Sequence, residues 1–129
     1  MILYRLLRDN ENPSIGLHAK APFSSISVAD HVAFGSHGIA SRYISCSKSL
    51  AAIMNFAAMS KTRPRRLVKI SIDEVTDYHI KVIDLTNVFT LASYIPSDNI
   101  RGRNFATRFQ EVLVERHIPA DKIVGEFRM

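Results

Sequence analysis

The sequence predicts an α+β fold built on a mostly antiparallel sheet. Three observations carry this expectation. Six short runs have the apolar alternation or β-branched content of strands, two or three have the spacing of helices, and the strands dominate the second half of the chain. With 129 residues, 47% of them hydrophobic, the chain has the length and the apolar content expected of one domain around one core.

The elements follow in order. Residues 2–7 are apolar with Arg5 embedded and predict a strand, and the DNENP run at 9–13 is a turn cluster. Residues 27–34 predict a short helix with Ser27 as its N-cap, and residues 35–38, which hold two glycines, break it. RYIS at 42–45 is aromatic and β-branched and predicts a strand. Over 49–59, Leu50, Ile53, Met54 and Ala57 fall at helical spacing, so this helix packs one face on the core. Residues 66–72 alternate and predict a half-buried strand. Residues 81–85 predict another strand, ended by Thr86 and Asn87. Residues 87–103 are polar and mixed, the longest irregular candidate, with room for a short helix. FQEVLVE at 109–115 is a strong strand candidate. Residues 118–127 predict a turn at Pro119 and then a last strand, IVGEF.

Charge and composition exclude some functions and permit others. The net charge is +5 and the pI about 9.7, which permits nucleic acid, a dinucleotide or an acidic inhibitor protein as partner, or reflects simple solubility. The densest basic run, KTRPRRLVK at 61–69, reads as a solvated loop entering a strand. No stretch is long and apolar enough to span a membrane, and the N-terminus lacks a signal-peptide layout. The expectation is therefore a cytoplasmic protein, or one delivered into a target cell by a route that leaves no mark. One cysteine, Cys46, excludes an internal disulfide and any all-cysteine metal site. The five histidines are scattered, and no metal site is expected; nor is there a Rossmann glycine fingerprint or a P-loop.

Three strand positions are odd for a plain core: Arg5 in an apolar strand, Ser45 closing a strand within SCSKS, and Glu111 inside FQEVLV. A buried charge is costly unless it is paired or functional. Taken singly, Arg5 suits an exposed face, Ser45 and Ser47 suit caps of the following helix, and Glu111 suits the solvent side of an edge strand.

Taken jointly and in order, they say more. Tyr4-Arg5, the run Tyr43-Ile44-Ser45-Cys46-Ser47-Lys48-Ser49, and Glu111-Val112-Leu113 resemble the three motifs of the Arg–Ser–Glu class of ADP-ribosyltransferases, a class that includes small mono-ADP-ribosyltransferase toxins and effectors. Cys46 stands where that family often has Thr. The resemblance implies two small, mostly antiparallel sheets forming a cleft for NAD, which is a substrate, with no metal. It implies cleavage of the nicotinamide–ribose bond and transfer of ADP-ribose to a macromolecule, protein or nucleic acid. Two alternatives stay open: an NAD glycohydrolase with water as acceptor, and a non-catalytic module of the same fold that binds a nucleotide or a partner.

The resemblance also assigns roles. Glu111 would stabilise positive charge developing on the ribose, as a carboxylate does in glycoside cleavage. Arg5 would hold the pyrophosphate or the adjacent ribose through its planar fork. Ser45 would orient Glu111. Tyr4, Tyr43 and Ser47 would complete the NAD site, with Tyr43, Tyr94 and Phe109 as candidates to stack on nicotinamide. One departure concerns the acceptor. The family usually has Gln or Glu two residues before its catalytic Glu, where this chain has Phe109. Gln110 is adjacent, but on a strand it would face the other way. Residues 87–108 correspond to the family's acceptor-recognition loop and are expected to border the cleft.

Overall fold

The computed structural model describes residues 1–34, 40–61 and 65–129. The predicted break at 35–38 lies outside the described residues, as do residues 62–64 of the basic run. Two antiparallel sheets and four α-helices make up the described fold, which is the α+β class expected. The strands are β1 (Ile2–Leu6), β2 (Leu17–His18), β3 (Tyr43–Ser47), β4 (Arg66–Ser71), β5 (Val82–Asp84), β6 (Glu111–Glu115), β7 (His117–Ile118) and β8 (Ile123–Arg128). The helices are α1 (Val28–Phe34), α2 (Leu50–Met59), α3 (Val88–Tyr94) and α4 (Ile100–Arg108).

The main sheet has the order β5-β6-β3-β1-β4-β8. β1 pairs with β4 along its whole length, and so does β3 with β6. At the centre, however, β1 meets β3 at one residue pair only, Tyr4 opposite Ser47. The sheet is thus two three-stranded halves joined at a narrow seam. Strand alternation then assigns the faces. Leu3, Ile44, Cys46, Val68, Ile70, Val112 and Val114 form one core, which Leu17 of β2 and Ile118 of β7 join. On the opposite face of the β5-β6-β3 half, Tyr43, Ile83 and Leu113 pack against Val28 and Val32 of α1 and Ala106 of α4. On that face of the other half, α2 seats Ile53 and Ala57 on Leu67. Ser49 caps α2 by accepting from the Ala52 N–H at 3.1 Å, and Ser27 does the same for the Asp30 N–H ahead of α1 at 3.1 Å.

Three expectations are corrected. The stretch 87–108 holds two helices, each begun by an asparagine whose side chain accepts from the first turn: Asn87 from Phe89 N and Thr90 N, Asn99 from Gly102 N. The last predicted strand of the motif region starts at Glu111. Phe109 is the C-cap of α4, and Gln110 has φ 49°, so neither belongs to a pleated strand. The two-residue strands β2 and β7 were not expected. They are too short to show periodicity and are held together by the Leu17–Ile118 and His18–His117 pairs. Among the described residues, no helix is long and apolar enough to cross a membrane.

Gly16 enters β2 at φ 84°, and a Cβ there would sit 2.8 Å from the Ile118 carbonyl oxygen and 2.9 Å from His117 Nε2. Gly16→Ala should therefore cost about 1–3 kcal/mol, by strain and by displacing β7. Urea unfolding of both proteins checks this, and a change under about 0.5 kcal/mol would refute it.

Candidate functional site

The seam between the sheet halves is where the polar side chains gather. Arg5 lies on the same face of β1 as Leu3 and opposite Val68, so by pleat it belongs to the apolar core. It is 7% exposed, and a guanidinium so placed needs partners. Its Nη1 donates to the Ser45 carbonyl oxygen at 2.7 Å, beyond the point where the β1–β3 ladder has ended. Its Nη2 donates to Glu11 Oε1 at 2.9 Å. Glu11 Oε1 also accepts from the Arg8 N–H at 2.8 Å. Burial pushes the Glu11 carboxyl up, but Arg5 and the Arg8 amide more than offset this, and the group lies below the usual carboxylate range. Arg5 Nε and Glu11 Oε2 are buried and keep no partner.

Ser45, Ser47 and Glu111 share the other face, since Ser47 lies opposite Glu111 and Ser45 opposite Leu113. The Ser45 hydroxyl sits on the Glu111 face of β3 and favours the charged form of that carboxyl. It also lies 2.7 Å from His31 Nε2, while His31 Nδ1 lies 2.6 Å from the Ser41 hydroxyl. A hydroxyl has one proton to give. If Ser45 donates to Glu111, it must accept from Nε2–H. His31 Nδ1 then accepts from Ser41, whose oxygen in turn takes the Tyr43 N–H at 3.2 Å. A Ser45 hydroxyl turned toward Glu111 calls for the Nε2–H tautomer of His31, with Ser41, His31 and Ser45 bonded in one direction.

Burial works oppositely on the two titrating ends. It pushes Glu111 up to about 7, against the Ser45 hydrogen bond and the Arg5 charge, which both hold it down. It pushes His31 down to about 4, with the charges of Arg5 and Lys20 adding to the effect. Burial also pushes the Cys46 thiol up to about 12, so this side chain is a packed apolar group.

Of the residues singled out in the sequence, Arg5, Ser45 and Glu111 are brought together, all through Ser45: Arg5 on its carbonyl, Glu111 on its hydroxyl. Arg5 reaches from the opposite pleat face, and both its Nη atoms are committed within the protein. Tyr43 is 6% exposed and packs its ring edge-on against His31. Tyr4 is half-buried beside the α2 core. Ser47 is buried, and its hydroxyl donates to the Phe109 carbonyl oxygen at 2.6 Å, which ties β3 to the end of α4. The Phe109 ring is wedged between Phe56 and Phe105. Tyr94 lies 38% exposed on α3. The sequence reading missed His31 and Glu11. His31 had a signal: it follows Val28 by three residues and precedes Val32, which puts an imidazole on the buried stripe of α1. A hollow of about 450 Å³, lined by His79, Lys81, Glu115, Arg116, His117 and others, lies at the far end of β6 from Glu111. Among the described residues, no three His, Cys, Asp or Glu side chains converge as a metal set.

Residues 4–129 match the family model described as "Domain of unknown function (DUF7587)". The chain belongs to the DUF7587 family. Among solved structures, the chain titled "EcPltA" is similar to it, with a TM-score of 0.66 at 19% identity over 98% of this chain and 74% of that one. That likeness is one of fold. No curated protein matches this DUF7587 chain at a significant level.

The opposed shifts give a stability test. His31 is neutral when folded but takes a proton near pH 6.5 when unfolded. Its contribution is present above about 6.5 and lost as pH falls toward 4, amounting to at most roughly 3 kcal/mol. Glu111 has its folded value raised, so its contribution is present below about 4.5 and lost as pH rises through about 7, with a similar ceiling. Glu111→Gln should raise the melting temperature at about pH 8 and steepen acid destabilisation, because only the His31 effect is left; His31→Gln should flatten it. Parallel acid responses in all three proteins would refute the assignment.

Proposed function

We propose that this chain binds NAD, cleaves its nicotinamide–ribose bond and transfers ADP-ribose to a macromolecule. One observation carries the reading: the desolvated carboxyl of Glu111, a half-buried residue, beside a hydroxyl that is itself held by a buried neutral histidine. The order of Tyr4-Arg5, Ser45-x-Ser47 and Glu111-Val112-Leu113, which resembles the Arg–Ser–Glu transferases, supports it from the sequence side.

The residues suit such a substrate. Nicotinamide leaves NAD as a neutral molecule, so the reaction needs a stabilised cation on the ribose and no general acid. Glu111 supplies the negative charge, and preorganisation of that charge is the largest catalytic contribution to expect. Ser45 donates to Glu111 and fixes its orientation. His31, kept neutral by burial, holds the Ser45 oxygen so that its proton faces the carboxylate. Arg5 fixes the Ser45 backbone and sets a cation beside the site, with Nε as its one uncommitted nitrogen. The carboxylate form of Glu111 is the competent one, so turnover should rise with pH through about 7.

A second reading, NAD glycohydrolysis, is favoured by Phe109. Where the transferases with arginine acceptors carry Gln or Glu, this side chain is spent on Phe56 and Phe105 and presents no polar group to an acceptor. Purified protein consuming NAD by itself, with free ADP-ribose as sole product even when lysate is added, would decide for hydrolysis.

Glu111→Gln tests both readings, because both need the charge. Turnover should fall about 10²–10³-fold with NAD affinity little changed, since the developing charge exists only in the transition state. The nicotinamide-release rate and calorimetric NAD affinity are the measurements. Unchanged turnover in a folded Glu111→Gln protein would overturn the enzymatic proposal.

A further inference from the structure

The face of α4 is unlike the rest of the surface. The helix carries Arg101, Arg103 and Arg108 and no acidic residue. Arg103 is used within the fold, donating to the Ile95 carbonyl oxygen through Nε and Nη2, and Arg101 donates to the Ala33 carbonyl oxygen through Nε at 2.6 Å, leaving its Nη atoms outward. The guanidinium of Arg101 lies 5.8 Å from the ring centre of Phe34 and 5.7 Å from that of Phe105. Phe105 stacks on Phe109 at 5.8 Å with an interplanar angle of 20°. Arg108 lies over Phe109 at 5.3 Å, and Phe109 meets Phe56 edge-on at 5.2 Å. Phe34, Arg101, Phe105, Phe109 and Phe56 therefore form one continuous ribbon from the end of α1, across α4, to α2, with Arg108 laid over Phe109.

Phe34 is 48% exposed, Phe56 38% and Phe105 37%. A shallow groove of about 190 Å³ on the ribbon is lined by Arg101, Asn104, Phe105 and Arg108. Among the described residues, neither Arg101 nor Arg108 has a carboxylate partner. The ribbon passes through Phe109, two residues before Glu111.

We propose that this ribbon is the docking surface for a single-stranded nucleic acid, which is the acceptor of the ADP-ribose. The inference rests on the NAD-cleaving reading above. Phosphates call for cations without a carboxylate partner, and unstacked bases call for flat rings at their level; the α4 face offers both side by side. A protein acceptor with an acidic patch would need the cations but not the rings. A duplex would hide the faces that the rings read. The transfer balances simply. The bond from the ribose C1′ to nicotinamide breaks with its electron pair leaving on nicotinamide. A lone pair on a base nitrogen forms the new bond to C1′, and the proton lost from that nitrogen passes to the Glu111 carboxylate or to water.

Fluorescence anisotropy with labelled oligo(dT) and oligo(U) of about 20 nucleotides measures docking, and a duplex of equal length serves as competitor. Nicotinamide release without any acceptor measures the NAD chemistry separately. Both single strands, or one of them, should bind with an affinity that falls steeply with salt, and the duplex should compete poorly. Arg108→Glu and Asn104→Glu should each weaken binding about tenfold or more, and Arg108→Glu should also lower the salt slope. Nicotinamide release should stay within about twofold in both, since neither residue contacts Glu111. With labelled NAD and lysate, label should enter a nuclease-sensitive fraction. Oligonucleotide binding that is absent, or indifferent to both variants, overturns the proposal, as does label confined to a protease-sensitive fraction. Variant-sensitive binding without nicotinamide release would instead uphold the surface and sink the NAD reading.

Discussion

Arg5, His31 and Glu111 converge on Ser45. Its carbonyl takes the Arg5 guanidinium and its hydroxyl stands between His31 and Glu111. The reason lies in the sheet. Two three-stranded halves share one residue pair, and a seam so narrow leaves backbone groups without the ladder partners that a sheet centre ordinarily supplies. Arg5 fills that need from its side chain, which requires a buried cation, which in turn requires Glu11. The carboxyl pair to the guanidinium, the turn at Arg8 that seats Glu11, and the packing of β2 and β7 over the same face all follow from the divergence of β1 from β3.

The two titrating groups on the other face illustrate how one environment acts in opposite directions. Loss of water penalises whichever form is charged. It raises a carboxyl and depresses an imidazole, so the pair joined through one hydroxyl favours two neutral groups over an ion pair. The imidazole can then serve as a fixed donor, and the carboxyl stays close to the point where it gains or loses its charge.

Periodicity made most of the scaffold legible. The strands at 42–45, 66–72 and 81–85 and the helices at 27–34 and 49–59 lie within a residue or two of those observed, because each buries one face against a continuous core. What escaped was local or remote. Strands of two residues have no period to read. The helices α3 and α4 were obscured by polar composition, although Asn87 and Asn99 stand at their starts as caps. The motif strand was read two residues too long because aromatic Phe109 adjoins the β-branched run that follows, while the chain there passes through a positive φ at Gln110. Arg5, Ser45 and Glu111 were legible as residues that cost too much to bury idly. Glu11 was not, since an acidic residue in a turn cluster ordinarily faces water and only the fold turns it inward.

Ser45 makes its contacts in two ways that differ in what heredity can reach. The bond to Arg5 uses a carbonyl oxygen that every amino acid possesses, whereas the links to His31 and Glu111 use a hydroxyl that only a few provide. Drift at this position can erase the placement of Glu111 while the anchoring of the sheet seam survives, so a descendant lacking the hydroxyl would keep its architecture and lose one contact to a buried carboxyl. The divided use of a single residue separates the joining of the sheet from the setting of a buried polar chain at one codon, so each can change in inheritance without the other.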